Sequence, residues 1–248
     1  MSQNDQEILC GRHPVLEALK ASHPVQRLLI AKGAHGPAVD EIFNRARGRR
    51  IPYDLRDRTF LDRIAGKSHQ GIVAYIAAHP YADYARILQD LDPARAFLVF
   101  LDNIQDPHNL GAILRTAHAV GADAAVIPQR GAAGLTATAA KAAAGAAAHL
   151  PVCRVTNLHR ALQEARDAGL WITGLAADGE TDFTTCDFTL PCALVIGAED
   201  KGLRRLTRQT CDFTACIPMA QTQVGSFNAS VAAALTLYEV FRQRRLND

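Results

Sequence analysis

Two runs of apolar residues constrain this chain more than anything else in it. Phe97-Leu98-Val99-Phe100-Leu101 and Cys192-Ala193-Leu194-Val195-Ile196 contain no polar side chain at any position except the small Cys192 thiol. A half-buried strand alternates and a surface helix keeps a polar face, so a continuous short run reads as a strand covered on both sides in the middle of a parallel sheet. Both runs stop at turn signals. The first runs into the polar stretch Asp102–Pro107; the second stops at Gly197, carries Glu199 two residues later and reaches Gly202 before the next helical stretch. A third strand, 213–217, ends at Ile217-Pro218-Met219, because proline denies the ladder a donor. A polar, glycine-bearing stretch with Ser226 and Phe227 then leads into an alanine-rich helix that starts near Asn228. Open α/β sheets bind ligands beyond the carboxyl ends of their strands. Two strand ends, two glycines, one acid and a Ser-x-Asn at a helix start therefore predict a pocket built largely from backbone, suited to a flat polar ligand rather than a metal.

The rest of residues 95–248 continues the alternation. Helices are expected over 109–120, 138–148, 157–168, 203–209 and 228–245, and further strands over 124–127, 152–155 and 170–175, which implies a parallel sheet covered on both faces. Residues 1–82 read as a smaller α/β layer with strands at 8–10, 25–31, 51–55 and 71–78, and helices at 11–20, 36–47 and 57–65. Prolines at 80 and 93 bracket an expected linker, 83–94, with a helical turn or two inside it. A length of 248 residues suits two domains.

Composition excludes several classes. No run of 18 apolar residues exists and the amino terminus is polar, so neither a membrane span nor a signal peptide is expected and the chain reads as cytoplasmic. The six cysteines are scattered without a Cys-x-x-Cys, which reads as reduced thiols and no metal site. Net charge is +2, but residues 1–82 hold 12 Lys+Arg against 8 Asp+Glu (+4), whereas 83–248 hold 15 against 17 (−2). The arginines between Arg45 and Arg63 fit a solvated helix face or a phosphate-binding surface.

The order of the motifs carries more than any one of them. Asp106-Pro107-His108-Asn109-Leu110-Gly111 through Arg115, Ile196-Gly197-Ala198-Glu199-Asp200-Lys201-Gly202, and Ile217-Pro218-Met219 followed by Ser226-Phe227-Asn228-Ala229-Ser230 resemble the three signature motifs of the SPOUT superfamily. Within it they resemble the SpoU or TrmH ribose 2'-O-methyltransferases. Gly11–Leu19 and Ser68–Ala74 further resemble the substrate-binding domain of the branch that modifies a guanosine of 23S ribosomal RNA. The resemblance implies an α/β carboxyl-terminal domain with a deep trefoil knot, S-adenosylmethionine as cofactor, a homodimer with its active site completed across the interface, and an RNA-binding amino-terminal domain. It assigns catalysis to Asn109, Arg115, Glu199 and Asn228, and cofactor contacts to Gly197, Ile217, Met219, Ser226 and Phe227. RNA contacts fall to Arg12, His13, Arg45, Arg49, His69 and Gln70. Phe227 stands where the family usually has leucine, and the loop from Met219 to Ser226 is one residue longer than in close relatives.

A guanidinium stays protonated in proteins, so Arg115 is expected to clamp an RNA phosphate and steady the developing alkoxide rather than to act as base. Asn109 orients Arg115 or the ribose. Glu199 fixes Arg115 or Asn228, or serves as base if buried, and Ser226 or Asn228 caps the last helix. The alternatives are methylation of a tRNA nucleotide, a silent RNA-binding protein of the same fold, and a nucleotide-binding α/β enzyme. No Gly-x-Gly-x-x-Gly or Gly-Lys-Ser/Thr follows a strand, which counts against the last.

Overall fold

The computed structural model describes residues 6–20, 25–77, 81–199, 201–220 and 225–246. They form two compact units that divide between His79 and Pro80.

The first unit runs β1 (Gln6–Cys10), α1 (Arg12–Lys20), β2 (Val25–Ala31), α2 (Pro37–Gly48), β3 (Tyr53–Arg56), α3 (Arg58–Ala65) and β4 (Ile72–Ala77). Its sheet has the order β1-β4-β2-β3, with β4 antiparallel to both neighbours and β2 parallel to β3. Alternation along β2 and β4 sends Leu28, Ile30, Ile72 and Ala74 to α1 and α2 on one face. Leu29, Ala31 and Val73 meet Leu61 of α3 on the other.

The second unit begins with α4 (Tyr84–Asp90) and continues β5 (Phe97–Asp102), α5 (Pro107–Ala119), β6 (Ala124–Pro128), α6 (Ala137–Ala142), β7 (Val152–Val155), α7 (Leu158–Asp167), β8 (Trp171–Leu175), β9 (Thr181–Asp182), β10 (Cys192–Gly197), α8 (Arg205–Thr210), β11 (Phe213–Cys216) and α9 (Ala229–Leu246). The strand order is β7-β6-β5-β10-β8-β11-β9, and every pairing is parallel. The two apolar runs are the adjacent central strands β5 and β10. Phe97, Val99, Leu101, Leu194 and Ile196 face the core beneath α5, α6 and α9. Leu98, Phe100, Ala193 and Val195 face the core beneath α4 and α7. β10 enters between β5 and β8, both of which precede it in the chain.

Two expectations are corrected. The stretch 83–94 belongs by its contacts to the second unit rather than to a linker. Ala82 bridges to Cys153 at the sheet edge, Asp83 caps α4, and the Tyr84 hydroxyl donates to the Ala161 carbonyl at 2.5 Å while its ring meets Phe100 edge-on. The single helix expected over 138–148 ends at Ala142, because Ala144 and Gly145 turn left-handed (φ +49° and +90°) before a short 3-10 turn at Ala146–Ala148. The alanines serve close approach. A Cβ on Gly111 would lie 2.4 Å from both the Ala139 carbonyl oxygen and the Ala142 Cβ, so α5 and α6 touch nearly backbone to backbone.

Along α9, Ala229, Ala233, Leu237 and Val240 are buried, while Val231, Leu235 and Tyr238 are 46%, 42% and 58% exposed. These three apolar side chains therefore face away from this chain's own core.

Candidate functional site

The site lies at the carboxyl ends of β5, β8, β10 and β11. β10 runs out at Gly197, opposite Asp102 of β5. The loop after it doubles back at once, Gly202 donating to the Ala198 carbonyl at 2.8 Å and Ala198 to that of Gly202 at 3.2 Å. A Cβ at residue 197 would fall 2.3 Å from the Gly202 carbonyl carbon, so only glycine allows the turn to fold over the strand end. Asp102, fully buried, fixes the far end of the loop by accepting from the Arg204 amide at 2.8 Å and from its Nε at 2.5 Å. Sequence reasoning passed over this pair. Its one signal was a carboxylate directly after an apolar run, and the partner lies 102 residues away.

Gly197, Ile217, Met219, Ser226 and Phe227 all line one cavity of about 430 Å³. Leu175 at the end of β8, Ala176, Ala177 and Asp178 after it, and Leu203, Arg208 and Ala232 also form part of its wall. Asp178 accepts from Arg208 Nη1 at 2.8 and 2.7 Å, and this partner holds its carboxyl below the usual range. Neither residue stood out in the sequence. The extra residue in the loop from Met219 to Ser226 concerns a stretch whose residues 221–224 lie outside the described ones.

A second cavity of about 290 Å³ adjoins the first. Asn103–Asp106 and Asn109 line it, and Ala198, Glu199, Lys201 and Ala229 are common to both. Asp106 caps α5 by accepting from the His108 amide at 2.9 Å, with Pro107 in the first turn, and this sets Asn109 on the helix's opening turn. Asn228 ties the motifs together. Its Nδ2 donates to Asn109 Oδ1 at 3.2 Å and to Glu199 Oε1 at 3.0 Å. Its Oδ1 accepts from the Ser230 amide at 2.9 Å and hydroxyl at 2.6 Å. Asn228, not Ser226, therefore caps α9. Glu199 is exposed and is oriented by Asn228. Asn109 meets Asn228 rather than Arg115. Arg115 projects from the exposed side of α5, lines neither cavity and has no side-chain partner among the described residues.

In the first unit Arg12 and Gln70 come together, Arg12 donating through Nε to the Gln70 carbonyl at 3.1 Å and through Nη1 to that of His35 at 3.2 Å. His13 and Arg49 are exposed, and Arg45 pairs with Glu41 one helical turn back. His69 corrects the reading. It is fully buried, its Nδ1 accepting from the Gly71 amide at 2.9 Å and its Nε2 facing Asp62 Oδ1 at 3.0 Å, so it shapes the turn before β4 and presents nothing to a ligand. Within the arginine cluster noted in the sequence, Arg56 and Arg63 lie 5.4 and 5.6 Å from the Phe60 ring, an aromatic member that the sequence analysis did not single out.

Residues 96–238 match the profile of the SpoU rRNA Methylase family, and residues 8–82 match one described as RNA 2'-O ribose methyltransferase substrate binding. The chain is 42% identical over 239 residues, 96% of either protein, to a Staphylococcus aureus (strain COL) protein assigned to the TrmH family of tRNA/rRNA methyltransferases. It is 43% identical over 250 residues, 98% of either protein, to Bacillus subtilis (strain 168) YacO, assigned likewise. Among solved structures, the SpoU methyltransferase AviRb from Streptomyces viridochromogenes in complex with AdoMet superposes with a TM-score of 0.64 at 28% identity, covering 100% of this chain and 95% of that one. The A. aeolicus TrmH/SpoU tRNA modifying enzyme superposes with a TM-score of 0.56 at 28% identity over 66% of this chain and 83% of that one. Fold and site thus define an RNA methyltransferase of the α/β class. The chain belongs to the SpoU rRNA methylase family.

Proposed function

We propose that this protein transfers the methyl group of S-adenosylmethionine to the 2'-hydroxyl of a ribose in RNA, and that the target is a guanosine of 23S ribosomal RNA. The observation that carries the reading is the pair of adjoining cavities that share Glu199, one lined by the strand-end residues of the second and third motifs and the other by Asn109 of the first. A donor and an acceptor bound side by side meet at that shared wall.

The larger cavity fits S-adenosylmethionine. Its volume of about 430 Å³ lies in the range of small-molecule sites. Leu175, Ile196, Ile217, Met219 and Ala232 offer apolar surface to a flat ring, while Asp178 and Glu199 offer carboxylates to a cationic, hydroxyl-bearing ligand. The cofactor supplies an electrophilic methyl on a sulfonium. Transfer of such a methyl to a ribose oxygen would be an in-line displacement, in which positioning and charge placement by the residues lining the two cavities do most of the work. Asn109, Asn228 and Glu199 hold the acceptor side by their shared hydrogen bonds. Arg115 has its guanidinium free for the neighbouring phosphate and for the charge growing on the oxygen, and the hydroxyl proton leaves to phosphate or water.

The exposed Val231, Leu235 and Tyr238 on α9 support a homodimer through this helix. Arg115, which lines neither of the two cavities formed by the described residues, serves the site of the opposite subunit in that dimer. The entry of β10 between two earlier strands supports the trefoil knot. The first unit, with Arg12, His13, Gln70 and the arginines of α2 and α3, binds RNA.

The test is to react purified protein with labelled S-adenosylmethionine and RNA lacking its own modifications, and to map the labelled nucleotide. Label at a 2'-O-methylguanosine of 23S RNA is expected; label on a base, or only on tRNA, would overturn the corresponding half. A thermal shift with S-adenosylhomocysteine but not with NAD or ATP checks the cofactor separately.

A further inference from the structure

The loop after β6 borders the acceptor cavity on its Asn103-Ile104 side, and this loop and the neighbouring end of β7 carry two exposed arginines. Ala133 donates to the Ile104 carbonyl at 2.7 Å, and a Cβ on Gly131 would come within 3.1 Å of Asn103 Oδ1, so this loop packs directly on the cavity's Asn103-Ile104 rim. Just before it stands Arg130, exposed and without a side-chain partner among the described residues. One strand over, Arg154 near the carboxyl end of β7 is exposed too, but set in place. It donates from Nη2 to the Gln129 carbonyl at 3.2 Å, and its guanidinium lies 5.3 Å over the Tyr81 ring. Tyr81 in turn accepts from the Leu135 amide at 2.9 Å, which ties loop, ring and arginine into one rigid edge.

No acidic residue occurs in 129–136 or 152–157. Asp83, next to the bridge that Ala82 makes to β7, and Asp106, on the acceptor cavity, are engaged in capping α4 and α5. An exposed guanidinium without a carboxylate, beside a second one held over a tyrosine ring, is a site for phosphate oxygens rather than for a protein anion network. The charge balance of residues 83–248 is −2, so the cationic edge is local and not part of a general basic surface.

We propose that the single-stranded RNA flanking the reacting ribose is seated on this edge, with Arg130 and Arg154 each taking a backbone phosphate. The catalytic unit then holds its substrate strand itself, in addition to the first unit's binding. The inference rests on the ribose-methylating reading above. Phosphate contacts position a strand without reading its bases, so these residues set register and affinity, not nucleotide identity.

The test uses the full chain and the variants Arg130→Gln, Arg130→Lys and Arg154→Gln. Binding of a fluorescent single-stranded oligoribonucleotide pool is followed across a salt series. Methyl transfer is measured on unmodified transcripts of ribosomal and transfer RNA, and S-adenosylhomocysteine affinity by calorimetry. Arg130→Gln and Arg154→Gln should each weaken RNA binding several-fold, lower the slope of log affinity against log salt by about 0.7 as one phosphate contact to a single strand is lost, and raise KM for RNA with kcat and cofactor affinity nearly unchanged. Arg130→Lys keeps the charge and should retain most of the binding. Arg130 is exposed and has no side-chain hydrogen bond or ion pair among the described residues, so its variants report on RNA even if Arg154→Gln loosens the Tyr81 packing. A wild-type chain that methylates RNA, beside glutamine variants with unchanged RNA affinity and salt slope, would refute the seat and leave the function standing. A wild-type chain that methylates none of the transcripts would remove both.

Discussion

Asn228 does two jobs with the two ends of one amide, and two substitutions separate them. Asn228→Ala removes the acceptor that serves the Ser230 amide and hydroxyl and the donor that reaches Asn109 and Glu199. Loss of the cap costs about 1 kcal/mol, which for a chain of this size lowers Tm by roughly 2–4 °C. Asn228→Asp keeps the acceptor and places negative charge at the start of α9, where the helix dipole favours it. It loses the donor and sets a carboxylate against Glu199. A hydrogen bond to a charged group contributes about 1.5–3 kcal/mol. Glu199 is exposed, so water offsets part of this, and a fall in methyl-transfer rate of about tenfold is expected for either variant, since 1.4 kcal/mol is one decade. Scanning calorimetry and single-turnover transfer of labelled methyl to RNA measure the two jobs independently. Alanine should lose stability and rate; aspartate should lose rate alone. An aspartate variant that melts with the wild type and also transfers methyl at the wild-type rate would refute the assignment, leaving the residue only a cap.

Three further outcomes follow from the geometry. Arg115→Ala should abolish transfer while S-adenosylhomocysteine affinity stays within a few-fold, because Arg115 lines no part of the cofactor cavity; equal loss of both in calorimetry and activity would mean that it supports the pocket. Gly197→Ala, whose Cβ would sit 2.3 Å from the Gly202 backbone, should cost about 1–3 kcal/mol as an overpacked site and weaken cofactor binding as the 198–202 turn is displaced; a variant with normal cofactor affinity would show that the turn does not shape the cavity. Leu235→Asp lies on the exposed face of α9 and should leave the monomer folded but shift sedimentation from dimer to monomer with loss of activity; an active monomer would overturn the shared-site reading.

Much of this molecule is written locally. Unbroken apolar runs made β5 and β10 legible as buried parallel strands, and the three motif segments were legible at strand ends because a strand that meets Gly197 or Pro218 must leave the sheet. That the second and third of them line one pocket was anticipated from where open sheets bind ligands, and the place of Asn109 beside them was what the resemblance implied. What the sequence could not supply were relations between distant positions. Asp102 and Arg204 look like an ordinary turn acid and an ordinary helix-start arginine until the fold sets β5 beside β10, and the need for glycine at 197 exists only because residues 202 and 203 fold back over it. His69 looks like a ligand-facing histidine within a motif, but the packing of α3 buries it against Asp62. The alanine run was a helix by propensity, and its end at Ala142 follows from the left-handed turn at Ala144 and Gly145. In the same way Val231, Leu235 and Tyr238 are apolar in any reading, and only the docking of α9 through Ala233, Leu237 and Val240 decides that they face outward. Hydrophobic period and chain breakers act within a few residues, so sequence fixes them directly; which strand lies beside which, and so which side chains meet, depends on long-range pairing that no local pattern contains.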